Sequence, residues 1–304
     1  MLAVAATFAY ADPVMVHVDA VDNTAWSGSG SLNGRGSVSY EYNIAMYQTT
    51  AGEWTAFLNA VAATDTYGLY NAGMATNGSG SDVYGAKITR VGSAGSYTYS
   101  VETGKENLAV NYVSLYDAMR YCNWLSTGNT ETGVYNFTSA TAFTIDATAK
   151  ANGAYYIPSA DEWMKAAYYN PTTDTWHTYA GSDTISTSDA NYGQSSPYTG
   201  ITEVGSYSLV SEFGTYDQSG NVLEWTESAI STSYYTLGGA FNNTGLNLAA
   251  GVDNFLYHPY YTPASENSGV GFRVASQAAV PEPSTYAAIF GALALGFAAF
   301  RRKK

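Results

Sequence analysis

Cysteine is nearly absent: Cys122 stands alone among 304 residues. A single thiol leaves the chain without an internal disulfide and without any centre that needs two or more thiolates. Histidine is almost as scarce. His17, His177 and His258 lie far apart with no HxxxH pairing, so no histidine metal motif is present. Charge is thin as well, at 12% of residues against the usual ~25%. The formal charge of −13 understates the acidity of the body, because Arg301, Arg302, Lys303 and Lys304 hold four of the twelve basic residues. Residues 1–280 keep eight basic against 24 acidic residues, a net −16. Such a body has no basic patch to neutralise phosphates, which excludes a nucleic-acid surface, and it permits bound divalent cations.

What replaces charge is hydroxyl, amide and ring. The 28 Tyr and 30 Gly, with many Ser, Thr and Asn, describe a folded, loop-rich protein. Its aromatic side chains supply ample surface to bury, which a disordered chain lacks. The length allows one large domain or two small ones.

Local patterns give the elements. Val38, Tyr40, Tyr42, Ile44 and Met46 alternate with more polar neighbours, the period of a half-buried strand. Thr50-x-x-Glu53 is a capping box, and Trp54, Phe57, Leu58 and Val61 follow at helical spacing. Residues 64–86 read as a long surface loop. Ile88–Val91 and Tyr97–Val101 flank Gly92-Ser93-Ala94-Gly95 as a hairpin. A second capped helix opens at Ser114-x-x-Asp117, with Leu115, Ala118, Met119, Cys122 and Leu125 on one stripe, so Cys122 is expected in the core. A third starts at Ser159-x-x-Glu162 and must stop before Pro171. Strands are expected near Tyr234–Leu237 and Gly271–Ala275. No repeat is visible, and the mix points to an irregular α+β domain from about 37 to 276.

Both ends carry address labels. Residues 1–11 form an apolar stretch closed by Ala9-Tyr10-Ala11, the small-x-small form of a secretory cleavage site. The basic opening of a signal peptide is missing, which allows a start further upstream; a short buried strand is the alternative. Residues 12–36 read as a leader loop. At the other end, 277–284 is a linker containing Pro281-Glu282-Pro283, followed by an apolar run from Tyr286 to Phe300 and four basic residues. As a helix this run spans only ~22 Å against a ~30 Å hydrocarbon core, a gap that snorkelling Arg and Lys can close. The basic cluster belongs on the cytoplasmic side, leaving the rest outside.

This tripartite end resembles the PEP-CTERM sorting signals of Gram-negative bacteria, which exosortases recognise and process. The resemblance implies export to the envelope, outer surface or extracellular matrix. It makes Pro281, Glu282, Pro283, Arg301 and Arg302 the sorting residues and 285–304 a transient membrane helix with its basic tail. A plain C-terminal anchor is the alternative.

Six ordered blocks between the labels resemble the formylglycine-generating enzyme family, or sulfatase-modifying factor domain. They are Tyr42-Asn43-Ile44-Ala45-Met46-Tyr47 running into Trp54; Val110-Asn111-Tyr112-Val113-Ser114 with Tyr121-Cys122-Asn123-Trp124-Leu125; Tyr156-Ile157-Pro158-Ser159-Ala160-Asp161-Glu162-Trp163; Gly214-Thr215-Tyr216-Asp217 through Gly220-Asn221-Val222-Leu223-Glu224-Trp225; Leu237-Gly238-Gly239-Ala240-Phe241; and Gly269-Val270-Gly271-Phe272-Arg273. The resemblance implies one domain with that family's irregular, C-type-lectin-like α+β fold. The family's oxidases hold Cu(I) between two cysteines that follow a Gly-Gly-Ser element. Carried over, the serine falls on Ala240 and the cysteines on Asn243 and Leu248, so no copper and no formylglycine-generating oxidase activity is expected.

The resemblance further implies a structural Ca²⁺ held by the carboxylates of Asp217 and Glu224 and the carbonyls of Gly220 and Val222, hard oxygens that suit that ion. An ordinary hydrogen-bonded turn is the alternative. A second family site falls on Asn191, Tyr192, Ser196 and Tyr198, weakened by Ser196 where an Asp is expected. Three functions follow: an exported, non-catalytic module binding a ligand or an extracellular polysaccharide; an enzyme using a thiol-free site near Asp253, His258 and Glu266; or a structural matrix component.

Overall fold

The computed structural model describes residues 12–76, 84–193, 200–252 and 261–277. The expectations for residues 1–11, for Ser196, Tyr198, Asp253 and His258, and for Pro281, Glu282, Pro283, Arg301, Arg302 and their apolar run lie outside the described residues. Within them, no helix is long and apolar enough to cross a membrane.

In chain order the elements are β1 (Met15–Val18), β2 (Tyr42–Ala45), α1 (Ala51–Val61), β3 (Ile88–Val91), β4 (Thr98–Val101), α2 (Leu115–Thr127), β5 (Tyr135–Phe137), β6 (Phe143–Ile145), α3 (Ala147–Ala151), β7 (Tyr155–Tyr156), α4 (Ala160–Tyr168), β8 (Tyr169–Asn170), β9 (Thr175–Trp176), β10 (Leu223–Ile230), β11 (Ser233–Leu237), β12 (Val270–Gly271) and β13 (Ala275–Gln277). Short 3₁₀ turns lie at Ala72–Ala75 and Gly245–Leu248. An antiparallel sheet in the order β1-β2-β13-β7 ties the first strands to the last. A second sheet runs β11-β10-β12, with β10 and β12 parallel. Three two-stranded ribbons, β3-β4, β5-β6 and β8-β9, complete the mixed α/β domain.

The capping boxes act as the spacing predicts. Thr50, Ser114 and Ser159 each accept from the backbone of an acidic residue three positions on, whose carboxylate returns the bond to the cap. Each such box satisfies backbone N–H groups that a helix start otherwise leaves open. Helix α2 ends at Gly128, which has a left-handed φ of 73° and donates its N–H to the Trp124 carbonyl. The apolar faces of α1 and α2 meet in one aromatic cluster. Trp54 lies 4.9 Å from Phe57, 5.6 Å from Tyr121 and 5.8 Å from Phe272, all as ring-centroid distances. Cys122 sits fully buried beside them, and burial holds its thiol well above its ordinary pKa. A smaller core packs Trp163, Met164, Ala167 and Tyr168 of α4 against Leu237.

Four expectations need correction. The alternating run from Val38 yields a strand only at Tyr42–Ala45, because Val38 leaves the ladder and donates instead to Asn23 Oδ1 at 3.1 Å. Helix α3 was not expected. Its five residues bury nothing, so no apolar period marks it, and Asp146 alone starts it by accepting from Thr148 and Ala149. The expected strand at Gly271–Ala275 is split into β12 and β13, since Phe272 and Val274 turn their carbonyls to Thr49 and Ala45. Finally, the leader loop expected over 12–36 contains β1, whose Met15–Val18 pair antiparallel with β2 and so join the first sheet.

Candidate functional site

The turn before β10 gathers oxygens of the four residues that the sequence singled out, with the carbonyl of Asp217 in place of its carboxylate. Asp217 and Asn221 have φ of 61° and 64°, and Gly220 has φ of 114°. Three positive-φ residues in five turn the chain tightly enough to bring carbonyls that are not adjacent in sequence together. The carbonyl oxygens of Asp217, Gly220 and Val222, with Oε1 of Glu224, converge on one point. That point is Nε2 of Gln48, at 3.2, 3.4, 3.0 and 3.0 Å respectively.

Glu224 is fully buried and already saturated. Arg273, equally buried, donates from Nε to Oε2 at 2.6 Å and from Nη2 to Oε1 at 2.8 Å. Trp163 Nε1 adds a bond to Oε2 at 2.7 Å. The remaining guanidinium hydrogens reach the carbonyls of Ala45, Met46 and Tyr216. A forked guanidinium and two further donors thus compensate the charge. The Asp217 carboxylate points away from the centre and accepts from Gly205 N at 2.7 Å. The donor set therefore fits Ca²⁺ poorly. It offers three carbonyls and one carboxylate oxygen already paired with a guanidinium, where the ion takes six to eight oxygens.

Of the second site expected from the resemblance, Asn191 and Tyr192 are among the described residues. Asn191 donates from Nδ2 to Gly200 O, Thr202 Oγ1 and Asn221 Oδ1, and the Tyr192 hydroxyl donates to Ile185 O.

The positions carried over from the oxidases are filled by a closed turn. Ala240 is 1% exposed and its N–H donates to Asn243 Oδ1 at 2.8 Å. Leu248 is fully buried against Gly239, and Phe241 stacks on Tyr84 at 5.0 Å. No thiol lies in this turn, and Cys122 belongs to the aromatic core. Of Asp253, His258 and Glu266, only Glu266 is among the described residues, and it accepts from Asn71 Nδ2.

An open cleft lies elsewhere, with a volume of about 760 Å³ between α1, α2 and β4. Trp124, Tyr121 and Tyr99 form its aromatic wall, small residues Gly52, Ala56 and Ala60 its floor, and Asp12 and Glu106 its acidic rim. Trp124 is the ring left half-exposed, held from behind by Phe57 and Tyr121 at 5.4 and 5.8 Å. The volume lies in the range of small-ligand sites, and a ring clamped in one orientation binds with little entropic loss. Composition announced aromatic excess but not which ring would face solvent. The useful signal was Trp124 at the polar edge of the α2 stripe.

Two buried carboxyls set an unusual pH response. Burial raises Asp117, at the start of α2, to about 7, with Glu266 adding to the shift, and raises Asp217 to about 6. Both exceed the ordinary 3.8, so the folded state binds more protons than the unfolded chain between those values. Their contribution to stability is complete below about pH 4 and lost as pH rises through 6 and 7. The melting temperature should therefore fall from about pH 5 to about pH 8, and Asp117→Asn should flatten that fall. A scanning-calorimetry series across this range checks both.

Residues 34–278 match the sulfatase-modifying factor enzyme 1-like domain family, and residues 279–303 match the PEP-CTERM protein-sorting motif. That motif marks the chain for export and sorting to the envelope of a Gram-negative bacterium, with processing by an exosortase. Among solved structures, Treponema denticola variable protein 1 is similar at 20% identity and TM-score 0.59, covering 87% of this chain and 95% of its own. CarF is similar at 21% and 0.58, covering 88% and 99%. PvdO from Pseudomonas aeruginosa follows at 19% and 0.53, covering 88% and 95%. At these identities the likeness concerns the fold. No curated protein matches the chain. With the family match spanning most of its length, the chain belongs to the sulfatase-modifying factor enzyme 1-like domain family and carries a PEP-CTERM sorting motif.

Proposed function

We propose that the domain is a non-catalytic binding module of the cell envelope or matrix, and that its ligand is a neutral glycan seated in the cleft beneath Trp124. The observation that carries this reading is the cleft itself: an aromatic wall on a rigid two-helix support, with carboxylates at the rim. A flat ring face suits the apolar face of a sugar, and rim carboxylates accept from its hydroxyls. The net −16 body disfavours polyanionic polymers and so narrows the class. Supporting the non-catalytic side, Ala240, Asn243 and Leu248 offer neither a soft metal ligand nor a nucleophile.

Saturable binding to a member of a neutral-polysaccharide panel is expected. Trp124→Ala should weaken it by at least about tenfold while leaving the near-ultraviolet circular dichroism folded. An unchanged affinity in Trp124→Ala, or no saturable binding across the panel, would remove the cleft from the account. A mainly structural matrix role would be left as the better reading in the latter case.

A further inference from the structure

We propose that the side-chain amide of Gln48 stands where this family's calcium would sit, so that the turn before β10 is held by an internal donor instead of an ion. The geometry is that of a cation site with a hydrogen-bond donor at its centre. Four oxygens from Asp217, Gly220, Val222 and Glu224 face Nε2 of Gln48 at 3.0–3.4 Å. Those are hydrogen-bond lengths, whereas Ca²⁺ holds oxygen at about 2.3–2.6 Å.

The amide cannot be reversed without loss. Its Oε1 accepts from Asn221 Nδ2 at 2.9 Å, and Asn221 is itself fixed by accepting from Thr202 N at 2.9 Å and Asn191 Nδ2 at 3.1 Å. Turning Gln48 over would set an oxygen against four acceptors and an NH₂ against an NH₂. Charge points the same way. The one carboxylate at the centre is balanced by Arg273 through two bonds, so a dication would add an uncompensated double charge to a fully buried site. An amide supplies two N–H donors, shared among the four oxygens, and carries no charge. The fold of an exported protein would then be indifferent to the calcium around it.

Thermal melts of the purified full chain in excess calcium and in excess EDTA test this. A resident ion at saturating calcium raises a domain of this size by roughly 8–16 °C. The native chain should instead melt within about 1 °C in the two conditions. Gln48→Glu restores an oxygen ligand and removes the donor. It should melt well below the native chain in EDTA and recover with calcium, so that metal dependence appears only in the variant. The proposal is overturned if Gln48→Glu is indifferent to calcium. It is equally overturned, with no variant required, if the native chain binds one equivalent of Tb³⁺ that calcium displaces and that is lit by tryptophan excitation, since Trp163 lies beside Glu224.

Discussion

Arg273→Met should lower the melting temperature by about 6–20 °C, the largest single effect in the domain. The side chain is fully buried and donates to both oxygens of an equally buried Glu224 and to three carbonyls from two separate segments. Removing one partner of such a pair costs about 3–5 kcal/mol, because the other charge stays in the interior without compensation. Arg273→Lys should fall between, keeping the charge but losing the fork that grips two oxygens at once. Arg35→Met supplies the contrast. Its ion pair with Asp161, at 3.0 Å, lies on the surface with the Arg35 side chain 35% exposed, and its loss should cost under about 1 kcal/mol. Equal losses in Arg273→Met and Arg35→Met would mean that the buried pair does not anchor β2, the turn and β12.

Gly220→Ala should cost about 2–4 kcal/mol, from two sources that can be separated. The backbone there has φ of 114°, a region that side chains rarely adopt, and an added Cβ would lie 2.6 Å from Asn191 O. Gly104→Ala is the control. Its φ is 81° but nothing lies within 4 Å of the new carbon, so it pays conformational strain alone, about 1 kcal/mol. Urea unfolding of the two variants measures the difference. If they lose the same amount, the close approach of the Asn191 loop to the turn plays no part in its stability.

Much of the fold was legible because its signals are local. A capping box is four residues long, and all three here start helices where the spacing places them. The Cys122 stripe is likewise a property of one helix, and the thiol is buried as its position requires. Strand ends were less legible, since they depend on partners far away. Val38 leaves its strand for Asn23, and the chain at Phe272 changes sheets between β12 and β13. At the site, the sequence named four residues and oxygens of all four meet, but Asp217 contributes its carbonyl and not the expected carboxylate, and what they surround comes from 169 or more positions away along the chain. Gln48 has no motif of its own. The one available hint was Arg273, a lone cation in the apolar run Val270 to Val274, which needs a buried anion as partner.

We propose that this member of the family works by binding and not by oxidising a thiol. The most direct test is to incubate the purified protein with Cu(I), oxygen and a cysteine peptide of sulfatase type, and to follow aldehyde formation by mass spectrometry. With Ala240, Asn243 and Leu248 in a closed turn and Cys122 in the core, the peptide should be recovered unchanged. Copper-dependent conversion of the cysteine to formylglycine would contradict the claim outright.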